Sequence, residues 1–165
     1  MTSHRYPFRA LAADYGRALF GMALMFGTLG FSGGPTVMVY ILGGLGTLFL
    51  AFGARTFIRH VARVEVSTDA IRVTGPFGTV LSWRDLDALR VGYYSTRRDR
   101  EGGWMQLKLN GGGGTVKLDS TIDGFTHIAD RALAAAHANN LALDEATLKN
   151  LAALGIVTEE PAARA

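Results

Sequence analysis

From Ala18 to Ala54 the chain carries no Asp, Glu, Lys, Arg or His, a run of 37 residues in a protein of 165. The hydrocarbon core of a bilayer is roughly 30 Å thick, and a helix needs about 20 residues to cross it. The run is too long for one crossing and suits two. A break is legible at Ser32-Gly33-Gly34-Pro35. Glycines loosen a helix end there, and proline fits the first turn of the next helix. The reading is a transmembrane helical hairpin over 18–55, turning near 32–35. Helix two runs from Pro35 to Ala54. Helix one is extended back to about Leu11, which sets Asp14 and Arg17 at the interface, where Arg17 can snorkel to the head groups. Nine glycines in the run allow close helix packing in lipid. A soluble helix pair would show a polar face, and neither helix has one. A cleaved signal peptide carries a single apolar stretch of about 7–15 residues, far shorter than this run.

Charge sets the orientation. Residues 1–17 hold three Arg and one Asp, and residues 55–63 hold Arg55, Arg59 and Arg63 with no acid. The positive-inside rule places both ends in the cytoplasm and anchors the chain in the plasma (inner) membrane. The basic 1–17 segment leads into helix one. Beyond Val64 acids outnumber bases, so the formal net charge of +3 belongs to the membrane flanks. A phosphate-binding domain needs its Lys and Arg clustered on its own surface, which argues against nucleic acid. With no Cys, disulfides, thiolate metal sites and Cys nucleophiles are excluded.

After Arg63 the apolar period becomes two. Val64 and Val66 alternate with Glu65 and Ser67, and Ile71 and Val73 with Arg72 and Thr74. Thr68-Asp69 and Gly75-Pro76-Phe77-Gly78 read as turns. Strands follow at Thr79–Trp83, Asp87–Ser95 (Leu89, Val91 and Tyr93 on one face), Trp104–Asn110 and Thr115–Asp119. Phe125, Ile128, Ala129, Ala132, Leu133 and Ala136 then form one stripe of a helix N-capped by Asp123 and ended by Asn139-Asn140. A short helix over Asp144–Leu154 stops at Gly155, and a tail follows from Thr158. The fold class expected is α+β: a membrane hairpin, then an antiparallel bent sheet or partial barrel over 56–141 with a capping helix, then a short helix and tail over 142–165.

Two segments carry a family resemblance: Thr68-Asp69-Ala70-Ile71-Arg72-Val73, and Val80-Leu81-Ser82-Trp83-Arg84-Asp85-Leu86-Asp87-Ala88-Leu89. With the hairpin before them and the helix after, Ile58 to Leu141 resembles the bacterial pleckstrin-homology-like (PH-like) membrane proteins. The resemblance implies a scaffold of about seven strands closed at one end by a C-terminal helix. Six strands are evident, and the seventh is sought in a longer Ile58–Ser67 strand or in one strand split. The turn at Ser67-Thr68-Asp69 departs from lipid-binding relatives of this fold, which concentrate basic residues around the first hairpin.

Trp83 and Asp85 read as a structural corner, with Trp83 packed under the sheet and Asp85 capping a turn. Arg97, Arg98 and Arg100 sit in a polar loop with Asp99 and Glu101. His127 and His137 are ten apart on one helix and make no i, i+4 metal pair. No P-loop, nucleophile elbow or paired-carboxylate spacing is present, and Gly43-Gly44-Leu45-Gly46 lies inside the second span. The expectation is a non-enzymatic, membrane-tethered interaction module with no cofactor. Its partners are the bilayer and a protein engaged by a sheet edge or the last helix; the sequence defines no oligomeric state. The alternative is anionic-lipid sensing through Arg55, Arg59, Arg63, Arg97, Arg98 and Arg100.

Overall fold

Alternating side chains after Arg63 make strands because each apolar member can face one common core while its neighbours stay wet. A computed structural model describes residues 1–31, 35–95 and 103–156. The expected turn at 32–34, the loop residues Arg97, Arg98 and Arg100, and the tail from Thr158 lie outside these. The order is β1 (Thr2–Arg5), α1 (Phe8–Phe31), α2 (Thr36–Val61), β2 (Arg63–Val66), β3 (Ala70–Thr74), β4 (Thr79–Ser82), a 3-10 turn (Trp83–Asp85), β5 (Leu86–Tyr94), β6 (Trp104–Gly111), β7 (Gly114–Asp119), α3 (Phe125–Ala138) and α4 (Glu145–Ala153). The fold is α+β, with four helices and two antiparallel sheets among the described residues. The chain divides into two units, Met1–Arg5 with Arg63–Ala165, and Tyr6–Ala62.

In the first unit, one sheet has the order β1-β2-β3-β4 and the other β5-β6-β7. The seventh strand is neither a longer Ile58–Ser67 nor a split strand. It is Thr2–Arg5, paired with β2 so that Thr2 lies opposite Val66 and Arg5 opposite Arg63. Residues 58–61 belong instead to α2. Val64, Val66, Ile71 and Leu81 from one sheet are buried with Leu86, Leu89, Val91, Leu107, Leu109, Val116 and Leu118 from the other. Each such aliphatic side chain stabilises the fold by roughly 1.5–3 kcal/mol on burial. All six residues of the α3 stripe are buried too. The N-cap of α3 is Gly124, at φ 71°, one residue later than expected, and the Asp123 N–H donates to the Arg5 carbonyl at 3.2 Å. Asn140 ends α3 in the left-handed region at φ 54°.

Asn139 ties α3 to the corner below it. Its Nδ2 donates to the carbonyls of Trp83 at 2.8 Å and Leu86 at 3.0 Å. Asn139→Ala removes both donations from a half-buried position. The expected loss is roughly 1–3 kcal/mol, read as a lower denaturation midpoint with the slope unchanged.

The last helix docks on the edge of β5. The Val91 N–H donates to Thr147 Oγ1 at 3.2 Å, and Asn150 Nδ2 donates to the Val91 carbonyl at 2.7 Å. Thr147 and Leu151 are buried. Two side chains thus supply the donor and acceptor that a neighbouring strand would offer, and the edge is covered. Asp144 caps α4, accepting from the Thr147 N–H at 2.7 Å. The Thr147 side chain, its backbone N–H and the nearby Arg90 hold the Asp144 carboxyl below the usual carboxylate range. A carboxylate with a depressed folded-state pKa stabilises fully above its unfolded value, and the contribution fades as pH falls through the folded one. Protection of the Val91 and Leu148 amides, taken relative to intrinsic exchange at each pH, is expected to hold at pH 5 and above and to fall below about pH 4. Asp144→Ala should show the lower protection with no such dependence on pH.

In the second unit α1 and α2 run antiparallel along each other. Phe49 packs on Gly21 and Phe26 on Gly46, where a Cβ would overlap the ring, while Gly53 meets Ala18. Gly27, Gly30, Gly43 and Gly44 face open space, so only part of the glycine content serves this contact. Of the two spans expected, one qualifies among the described residues: α2, 26 residues long, whose most apolar 18-residue stretch has a mean hydropathy of 2.0 and few buried residues. Asp14 and Arg17 interrupt α1 and leave Ala18–Phe31 as its uncharged part. Those 14 residues, 18 to 31 inclusive, make about 21 Å of helix, short of the hydrocarbon core. A single crossing, taken alone, does not put both chain ends on one side.

Candidate functional site

The seven residues by which α2 outruns the expected Ala54 stop carry Arg55, Arg59 and His60 on continuing helix. Charge ends the apolar run there without ending the helix. The turns face the start of α1, and a cluster of aromatic and basic side chains forms between them. Tyr15 Oη and His60 Nδ1 are 3.1 Å apart. Phe8 stacks on Tyr15, with ring centroids at 6.2 Å, and lies 6.0 Å from the His60 ring. The Arg59 guanidinium sits 4.8 Å over the ring of Tyr6, which is buried. This is cation–π geometry. Asp14 and Arg17 pair at 3.0 Å, and Arg55 is exposed. Aromatic rings with polar tips and arginines in adjacent helical turns match what the headgroup layer of a bilayer solvates.

Arg63 belongs to the other unit. It lies in β2 directly opposite Arg5 of β1. Both side chains are exposed, with no acidic partner among the described residues. Like charges directly opposite on paired strands are destabilising. It flanks the residues, Tyr6 and Ala62, at which the chain enters and leaves the helices.

Trp83 and Asp85 sit in the 3-10 turn between β4 and β5. Trp83 is buried, and its Nε1–H donates to the Ser67 carbonyl at 3.0 Å. The cap of this turn is Ser82, whose Oγ accepts from the Arg84 N–H at 3.3 Å, while the Asp85 side chain is exposed. The Asp85 carbonyl occupies the space a Cβ on Gly111 would need, which explains the glycine at that position.

A further group went unread as a unit in the sequence. Tyr94 and Trp104, opposite each other on β5 and β6, stack with centroids at 5.9 Å. Tyr93 projects from the other face of the same ribbon. All three rings are exposed. The available signal was two adjacent tyrosines and a tryptophan bracketing one polar loop. Among the described residues no group of three or more His, Asp or Glu is arranged to hold a metal ion. Comparison with protein-family models, curated proteins and solved structures finds no match to this chain.

Proposed function

We propose that this chain is a membrane-anchored, non-enzymatic interaction or scaffold module that presents a PH-like domain at the cytoplasmic face of a bacterial inner membrane. The observation that carries the reading is the pairing of Thr2–Arg5 with Arg63–Val66. These strands flank α1 and α2, and two segments of one sheet share one side of any membrane. The intervening chain must then cross an even number of times. Since α2 is long and apolar enough to cross, α1 makes the second crossing and the two form a transmembrane hairpin. At 24 residues α1 spans about 36 Å of helix. Its Asp14–Arg17 pair neutralises the two charges at the interface, and the Arg17 side chain stays 71% exposed. Basic flanks on both sides of residues 18–54 support the cytoplasmic orientation. Four strands and three strands in two sheets, followed by α3, support the PH-like reading.

Crosslinking in native membranes tests the module. The full chain is expected to resist alkaline extraction and to crosslink to a second protein. A chain recovered only as an uncrosslinked monomer contradicts the partner-binding role. Because α4 holds the β5 edge, a partner adding a strand there has to displace it.

The Arg5–Arg63 pair favours a second reading, in which the domain senses anionic lipid. In that case the domain of the full chain melts higher in nanodiscs of anionic lipid than in zwitterionic ones, and Arg5→Gln with Arg63→Gln removes the difference. Equal melting in both lipids rejects it.

A further inference from the structure

The tip of the β5–β6 ribbon has a composition and a position that the anchor alone does not require. Leu89 and Val91 are buried on one face of β5, and Tyr93 continues their row past the end of the core, where it is 53% exposed. On the opposite face Tyr94 and Trp104 stack, 49% and 38% exposed. Gly92 and Gly103 lie against these rings: a Cβ at 92 would press on the Tyr94 ring, and one at 103 would overlap Tyr93. At the last described rungs the ribbon therefore carries rings on both faces. Large aromatic side chains exposed together in this way mark an interaction surface.

Its place within the domain identifies the partner. The Met105 N–H donates to Ser120 Oγ at 3.0 Å, and the Ser120 N–H donates to the Met105 carbonyl at 2.7 Å. Three residues later the Asp123 N–H bonds the Arg5 carbonyl. Three extended residues reach at most about 11 Å. The tip thus lies at the same end of the domain as Arg5 and Arg63, the points where the chain departs for the helices and returns. Tyr and Trp are the residues enriched at membrane–water interfaces, because their rings are apolar and their Oη and Nε1 groups stay hydrated.

We propose that Tyr93, Tyr94 and Trp104 form a second membrane contact, seated in the headgroup layer of the bilayer that the helices cross. The proposal rests on the membrane-anchored reading. The chain has two tryptophans, and Trp83 is buried and serves as the internal reference. The full chain and its Trp104→Phe variant are reconstituted into vesicles with or without lipids brominated near the headgroup end of their chains, and the difference between the two proteins isolates Trp104. Its emission is expected to fall by roughly half in brominated vesicles while Trp83 is little changed, as befits an interfacial ring. Trp104 unquenched by bromine and open to aqueous acrylamide overturns the proposal. Trp104 shielded from both quenchers overturns it too, in favour of a covering protein surface. Flotation of the same vesicles separates the two ideas: a chain that floats with Trp104 unquenched loses only this contact, and a chain that fails to float loses the anchor.

Discussion

Arginine at both Ile41 and Leu48 is expected to expel the chain from the membrane fraction. The two residues lie seven apart on one face of α2, 56% and 66% exposed, so the exchange leaves the contact with α1 largely intact and changes chiefly what solvates the helix. An arginine near the centre of a span costs about 2.5–3.5 kcal/mol, so two cost on the order of 5 kcal/mol. That is more than a thousandfold in the insertion equilibrium. The variant should appear in the soluble or degraded fraction, while Ile41→Val with Leu48→Val stays in the alkali-resistant pellet. Equal membrane retention of the arginine variant would mean that α2 does not face hydrocarbon.

Leu107→Ala should be the most damaging simple truncation in the domain. Leu107 is fully buried on the central strand β6, in register with Val91 on one side and Leu118 on the other. Neighbours on both sides are held by strand pairing and cannot collapse into the space. The expected loss is about 2–5 kcal/mol, the range for a buried leucine whose cavity stays open. Trp83 emission, isolated by a Trp104→Phe background, reads it during denaturant unfolding, with the exposed Lys117→Ala as a control expected to stay within about 0.5 kcal/mol. A Leu107→Ala midpoint matching that control would displace the core from the position described.

Six of the seven described strands were legible, five because apolar residues alternate over a buried face and β4, where exposed Val80 sits beside buried Leu81, because turns bound it on both sides. The α3 stripe was legible for the same reason at helical period, and all its members are buried. β1 was not. Thr-Ser-His-Arg has no apolar alternation, and its reason for being a strand is the edge of β2, reached only after residues 6–62. The end of α2 was misplaced because the reading stopped where charge begins. Charge stops hydrocarbon solvation at Arg55, while backbone hydrogen bonding continues to Val61. The aromatic tip was hidden for a third reason: strand register, absent from any local pattern, is what sets Tyr94 against Trp104. Of the arginines named from sequence, Arg59 proved to be folded over Tyr6, and Arg63 to face Arg5. Neither arrangement has a local signal, since each partner lies more than 50 positions away.

The absence of cysteine offers a direct measurement of the central claim. Single substitutions Ser3→Cys in β1, Thr68→Cys in the β2–β3 turn, and Ser32→Cys between the two helices can each be labelled with a membrane-impermeant maleimide, in right-side-out and in inverted vesicles. The account predicts that Ser3→Cys and Thr68→Cys label only in inverted vesicles and Ser32→Cys only in right-side-out ones. Opposite sidedness for the first two, or one shared side for all three, would contradict it.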